Sequence, residues 1–169
     1  MKHALAYLNL DSPVGRIFLV AQDDILIRLE FADQPHALGG PSGPTAGSQF
    51  LADTRRQLEA YFEDRQHVFD ISLKLQGSSF QEKVWNALLD LSVGETLSYS
   101  QFANRIGHPD AIRAVGAANG RNPISIIIPC HRLIGTDGHL TGYAGGLEAK
   151  RWLLRHEGHK VEENRVTGW

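Results

Sequence analysis

Residues 125–135 read SIIIPCHRLIG and contain Cys130, the single cysteine of the 169-residue chain. Three consecutive β-branched isoleucines predict a buried strand, and Pro129, which cannot donate to a ladder, ends it. Cys130 is therefore expected at a strand end, with His131 and Arg132 directly behind it. A thiol of pKa about 8.5 is mostly protonated at neutral pH, so a nucleophilic role needs a base or a positive field. His131 and Arg132 can supply both. Adjacent residues of an extended chain point to opposite sides, so His131 reaches the thiol through a bridging water unless the chain kinks. The competing reading of Cys130 is a small buried hydrophobe, a common fate of free cysteine.

A catalytic imidazole must itself be oriented, usually by a carboxylate on its other ring nitrogen. Downstream, LEAKRWLLRHEG at 147–158 predicts a helix closed by Gly158, with Glu157 in its last turn. Negative charge there opposes the helix dipole by roughly 0.3–1 kcal/mol. Such a cost fits either an exposed glutamate that tolerates it or a carboxylate kept to orient His131.

Upstream of the cysteine the pattern is helical. SSFQEKVWNALLDL at 78–91 opens on a capping box, Ser78 with Gln81 or Ser79 with Glu82, and puts Phe80, Val84, Leu88 and Leu91 on one stripe. SYSQFANRIG at 98–107 is a short helix ended by Gly107, and AIRAVGAAN at 111–119 a second one closed by Gly120. Two short helices joined by a tight turn have the shape of a helix-turn-helix, or equally of two packing helices in a bundle. The second is nearly bare: Ala114, Gly116, Ala117 and Ala118 surround one long polar side chain, Arg113. A bare face suits either close packing against another helix or insertion into the narrow minor groove of DNA.

The first 77 residues read as a small α/β domain. ALAYLNL, RIFLVA and ILIRLEF are strands separated by DSPVG and QDD, and VFDISLKL at 68–75 returns to period two. QFLADTRRQLEAYF at 49–62 has helical spacing, and residues 35–48, with three prolines and four glycines, read as a flexible loop. Residues 78–169 form the second domain in this division.

Composition is ordinary for a globule: 42% hydrophobic, 21% charged and a net charge of −2. Four arginines and one acid, Asp110, lie between Tyr99 and Arg132, a modest local excess. No apolar run approaches the roughly 20 residues that span a bilayer, and MKHALAYLNLDSP alternates, so neither a membrane segment nor a signal peptide is expected. One cysteine excludes an internal disulfide framework and a cysteine-based zinc cluster, and a lone free thiol suits a reducing, cytoplasmic compartment.

NPISIIIPCHRLIG, preceded by VGETLSYSQFANRIGHPDAIRAVGAAN and followed by GYAGGLEAKRWLLRHEG, resembles the O6-alkylguanine-DNA alkyltransferases, the methylated-DNA–protein-cysteine methyltransferases. The match runs from about Phe80 to Gly158. The resemblance implies a ribonuclease-H-like N-terminal α/β domain and a mostly helical C-terminal domain with a winged helix-turn-helix. It also implies irreversible, single-turnover transfer of an alkyl group from O6-alkylguanine in double-stranded DNA to Cys130, after the base is flipped out. His131, through a water, and Glu157 then make the thiolate, and Asn122 braces the turn before it. Tyr99 turns the nucleotide phosphate and protonates the leaving guanine. Arg113 fills the stack, with Ala114 and Gly116 on the DNA face. Tyr143 and the backbone of Ala144 and Leu133 wall the guanine pocket. Ser98, Gln81 and Thr136 are weaker candidates for phosphate contacts. Ala144 stands where some members carry serine, which removes a hydroxyl contact to the leaving oxygen. The zinc site of some relatives needs cysteines absent from this N-terminal part, so no metal and no other cofactor is expected. The expected partner is DNA, with no membrane and a monomeric protein; O4-alkylthymine as a second substrate and cooperativity on DNA are left open.

Two other classes compete. A lesion-binding module without chemistry would lack the acceptor cysteine, which is present. A cysteine hydrolase with a Cys-His-Glu triad would need an oxyanion loop, and none is evident.

Overall fold

The structure is a computed structural model that describes residues 5–35, 37 and 48–168. Most of the expected loop at 35–48 therefore lies outside the described residues. The chain opens with an antiparallel meander, β1 (Leu5–Ser12), β2 (Gly15–Gln22) and β3 (Ile25–Phe31), paired in the order β1-β2-β3. Asp23 and Asp24, both at positive φ, make the two-residue turn between β2 and β3, the twist-matched hairpin geometry. Ile17, Leu19 and Ala21 of β2 point to one face and are buried there. Helix α1 (Gln49–Glu63) covers that face with Leu51, Thr54, Leu58 and Tyr61. Ser48 caps it by accepting from the Leu51 N–H.

VFDISLKL does not form the expected strand. It runs beside β3 with a single bridge, Leu26 to Leu73, held by Leu26 N–H to Ser72 O at 2.9 Å and Lys74 N–H to Leu26 O at 3.0 Å. The alternation is nevertheless real: Phe69, Ile71, Leu73 and Leu75 pack on the core and the residues between them are exposed. Period two reports which side is buried, not whether a ladder is completed.

Helix α2 (Ser79–Leu89) is capped by Ser78 and Gln81, which decides between the two capping boxes. The Trp85 indole donates to Ala118 O at 2.8 Å and so ties α2 to the helix pair that follows. That pair is α3 (Tyr99–Arg105), entered through the two-residue β4 (Leu97–Ser98), and α4 (Ile112–Gly120). Gly107, at φ +79, ends the first helix as expected, since left-handed backbone favours glycine.

The SIII run is likewise not a strand. Residues 124–128 form a tight turn in which Ile126 takes φ +74 while buried, a conformation that costs a β-branched residue about 1–3 kcal/mol. Asn122 supplies what a neighbouring strand would have supplied. Its Oδ1 accepts from Ile124 N–H at 2.9 Å and its Nδ2 donates to Ile128 O at 2.8 Å. The isoleucines are buried as their chemistry demands, but from a turn docked on β3 through Leu29.

β5 (Leu133–Ile134) pairs in parallel with β4, α5 (Leu147–His156) follows, and a hairpin of β6 (Lys160–Glu162) and β7 (Arg165–Thr167) ends the described chain. This hairpin, for which the sequence offered no reading, closes a small cluster of Ile134, Leu140, Leu154, Val161 and Val166. The main core is shared: Leu10, Leu26 and Leu58 from the first part join Phe102, Val115 and Leu153 from the second. Among the described residues, no helix is long and apolar enough to cross a membrane.

Candidate active site

Cys130, His131 and Arg132 form one 3-10 turn directly after Pro129. The chain kinks here, the case in which neighbouring side chains need not oppose one another. All three are buried, and their polar groups must find partners or pay for lacking them. Each nitrogen of Arg132 finds one. Its Nε donates to Glu157 Oε2 at 2.9 Å, Nη2 to Glu157 Oε1 at 2.8 Å and Nη1 to Leu91 O at 2.6 Å.

Glu157 caps α5 and is buried, which rules out the exposed alternative. His131 Nε2 lies 2.8 Å from its Oε1. Burial pushes the carboxyl up, but His131 and Arg132 outweigh it and hold the group well below the usual carboxylate range. His131 is shifted down, first by burial, against the pull of Glu157. The imidazole is therefore neutral at pH 7. An ionised carboxylate can only accept, so Nε2 carries the proton and Nδ1 is left as a lone pair. Nδ1 is buried and has no protein partner among the described residues.

At Cys130, burial pushes the thiol up. An Asn122 hydrogen bond, the Lys150 charge, its own backbone N–H and Ser125 pull it only part of the way back. The resting sulfur is a thiol that a base must deprotonate. Lys150 is fully buried, donates to Leu133 O at 2.7 Å, and is shifted down by burial to about 8 against the attraction of Cys130. Asn119 of α4 donates to Cys130 O at 3.3 Å. Sequence reading passed over both residues. Lys150 did leave a signal, because it sits three residues after Leu147 and four before Leu154 on the apolar stripe of α5.

A cleft of about 520 Å³ opens beside α4, lined by Tyr99, Ile112, Gly116, Thr141, Tyr143 and Ala144 among others. Burial raises both the Tyr99 and Tyr143 phenols, and a thiolate at Cys130 would raise them further, so each stays protonated. Tyr99 shares a 2.6 Å hydrogen bond with the Thr141 hydroxyl. Tyr99 and Tyr143 line this cleft, and both lie within electrostatic range of the buried Cys130.

On α4 the buried side is Val115, Ala118 and Asn119, while Arg113, Ala114 and Ala117 are exposed. A Cβ added at Gly116 or Gly120 would meet no atom within 4 Å. Ala118 packs inside the protein, but Ala114, Gly116 and Ala117 do not; they leave a face of α4 open. Thr136 is exposed on the loop after β5. Ser98 and Gln81 are committed elsewhere: Ser98 is the buried cap of α3 and Gln81 completes the capping box of α2. Leu133 is fully buried and does not line the cleft.

Two family models match this chain: the 6-O-methylguanine DNA methyltransferase ribonuclease-like domain over residues 5–75, and its DNA binding domain over residues 79–159. The chain belongs to the 6-O-methylguanine DNA methyltransferase family. It is 45% identical over 152 residues to the methylated-DNA–protein-cysteine methyltransferase of Methanosarcina acetivorans, covering 90% of this chain and 97% of the relative. Its fold is similar to the crystal structure of Mycobacterium tuberculosis O6-methylguanine methyltransferase, with TM-score 0.81 and 44% identity over 91% of this chain and 93% of that one. It is also similar to M. tuberculosis OGT solved in complex with DNA, with TM-score 0.80 and 46% identity over 89% and 91% of the two chains.

Proposed function

We propose that Cys130 Sγ is the acceptor of the alkyl group and that His131 and Glu157 are the relay that activates it. The family's reaction is DNA repair by alkyl transfer to the protein's own cysteine, and this chain performs it. The observation that carries the assignment is a neutral imidazole next to the chain's one cysteine, with Nε2 bound to Glu157 and Nδ1 unpartnered.

The thiol proton passes through a water to His131 Nδ1, and Glu157 stabilises the imidazolium that results. The thiolate attacks the alkyl carbon. An S–C bond forms, the C–O6 bond breaks, and its electron pair leaves with guanine. The Tyr99 phenol, kept protonated by burial, donates the proton that neutralises the departing base. The product is a thioether, which no ordinary reductant reverses, so each molecule acts once.

A guanine stacked in duplex DNA hides its O6 substituent from a sulfur behind a cleft, so the base must leave the helix at a cost of a few kcal/mol. The bare face of α4 suits a minor groove, and Arg113 is exposed on it to fill the vacated stack. Asn122 holds the turn that presents Cys130, and Tyr143 and Ala144 wall the base pocket. The overall charge is only −2, and the local arginine excess between Tyr99 and Arg132 suits salt-sensitive backbone contacts rather than base reading, by a monomer on DNA containing O6-alkylguanine.

The test is stoichiometry. Incubation with excess O6-methylguanine duplex should add one methyl group per protein molecule, on the peptide bearing Cys130. Cys130→Ala should bind the DNA and gain none. Complete repair with an unmodified Cys130 would sink this reading.

A further inference from the structure

The relay carboxylate also meets a side chain from the N-terminal part that the reaction described above does not use. Tyr61, on α1 in the N-terminal part, directs its O–H at Glu157 Oε1, 2.8 Å away and buried. That oxygen is the one that also meets His131 Nε2 and Arg132 Nη2, each at 2.8 Å. We propose that Tyr61 is a positioning residue of the relay, fixing the Glu157 carboxylate and limiting how strongly it holds a proton on His131.

Geometry sets the sign. Three donors share Oε1, and each hydrogen bond it accepts withdraws charge from the lone pairs offered to the others. Taking away the phenol leaves more negative charge facing His131, which stabilises the imidazolium and raises the pKa of the base. The phenol is suited to this work because it cannot compete as an acid: burial, then the Glu157 charge, pushes it well above its ordinary range, so it remains a neutral donor at every working pH. The ring is held for the purpose. Its edge meets His156, with centroids 5.1 Å apart, and His156 Nε2 lies 2.6 Å from the Tyr61 carbonyl oxygen. The helix carrying Tyr61 is thereby pinned to the helix that Glu157 caps. The other titratable groups facing the pair are Arg132 and Cys130 from the catalytic turn, Lys150 from α5, Tyr143 from the cleft wall and His159 beyond α5. Of these, only Arg132 also donates to Glu157.

The inference rests on the proposed relay, so its test has two independent readouts in the full-length protein. Tyr61→Phe keeps the ring and removes only the hydroxyl. Single-turnover methyl transfer from an O6-methylguanine duplex is followed against pH, and the His131 imidazole is titrated by NMR in the absence of DNA. The expected result is an acid limb of the rate profile and a His131 pKa that both move up by roughly 0.5–1 unit, the worth of one such hydrogen bond. The rate below the limb then falls about three- to tenfold, with unchanged DNA affinity. An unmoved His131 titration overturns the proposal, whatever happens to thermal stability, because packing alone would lower the melting temperature without shifting a pKa. Absence of methyl uptake by the unmutated protein would instead sink the alkyl-transfer reading, and the His131 titration would still decide the role of Tyr61.

Discussion

Glu157 shows how one side chain can oppose a local rule when its partners outweigh the cost. A carboxylate capping the C-terminus of α5 meets the wrong end of the helix dipole, at a cost of about 0.3–1 kcal/mol. Here it is repaid by Arg132, His131 and Tyr61. Glu157→Gln should slow alkyl transfer by roughly 100-fold or more while leaving DNA affinity nearly intact. It should also cost about 3 kcal/mol of stability, because Arg132 is left as a buried, uncompensated charge. The pH dependence follows from the depressed carboxyl. The stabilisation is fully present above the carboxyl's unfolded value of about 4.3 and is lost as pH falls through its lower folded value. Denaturant melts of the two proteins should therefore differ most near neutrality and converge in acid. Equal stabilities at pH 7 would remove Glu157 from the ion network. The Cys-His pair was legible from sequence, and Glu157 was one of two readings of an odd helix end. Tyr61 was not legible, since 96 residues separate it from its partner and its spacing on α1 is that of any core aromatic.

At the scale of elements, α4 is informative for what it omits. Sequence pattern left open whether its small residues serve packing or an external partner. Geometry answers, because a side chain at Gly116 would meet nothing within the protein. Gly116→Ala should accordingly raise stability by about 0.5–1 kcal/mol through helix propensity. The same change should weaken binding to duplex DNA by roughly tenfold, equivalent to 1.4 kcal/mol. Calorimetry and fluorescence anisotropy check the two directions separately; a variant that binds DNA as well as its parent would show that this face does not enter the groove. The two misread strands belong to the same scale. At 68–75 and 124–128 the burial pattern was read correctly, and the hydrogen bonding was not. Which backbone groups find a ladder depends on what lies alongside, and at 124–128 a side-chain amide, Asn122, stands in for it.

At the scale of the whole molecule, the two parts meet at the site from opposite sides. Tyr61 reaches the relay, and Phe31 at the end of β3 backs the cleft wall. The Phe31 ring lies edge-on to Tyr143 with centroids 5.5 Å apart. A Cβ at Gly145 would come within 2.8 Å of that ring. Gly145 is therefore required by close approach rather than by backbone conformation. Gly145→Ala should cost about 1–3 kcal/mol as an overpacked contact and slow alkyl transfer by displacing Tyr143. Adding Phe31→Leu should recover part of both losses, a coupling that a double-mutant cycle measures. Strict additivity of the two changes would show that the contact does not brace the pocket.

Local chemistry was enough to settle the strands of the N-terminal meander, the capped helices and the short helix pair, and to set a lone cysteine beside a histidine. Each depends on residues within a turn or a few turns of one another, where periodicity, capping and bond geometry act. The catalytic kink in place of a strand, the buried Lys150, the open side of α4 and the arrival of Tyr61 and Phe31 at the site were decided only when distant segments packed. Burial and electrostatics depend on everything within several ångströms, and most of those atoms come from elsewhere in the chain.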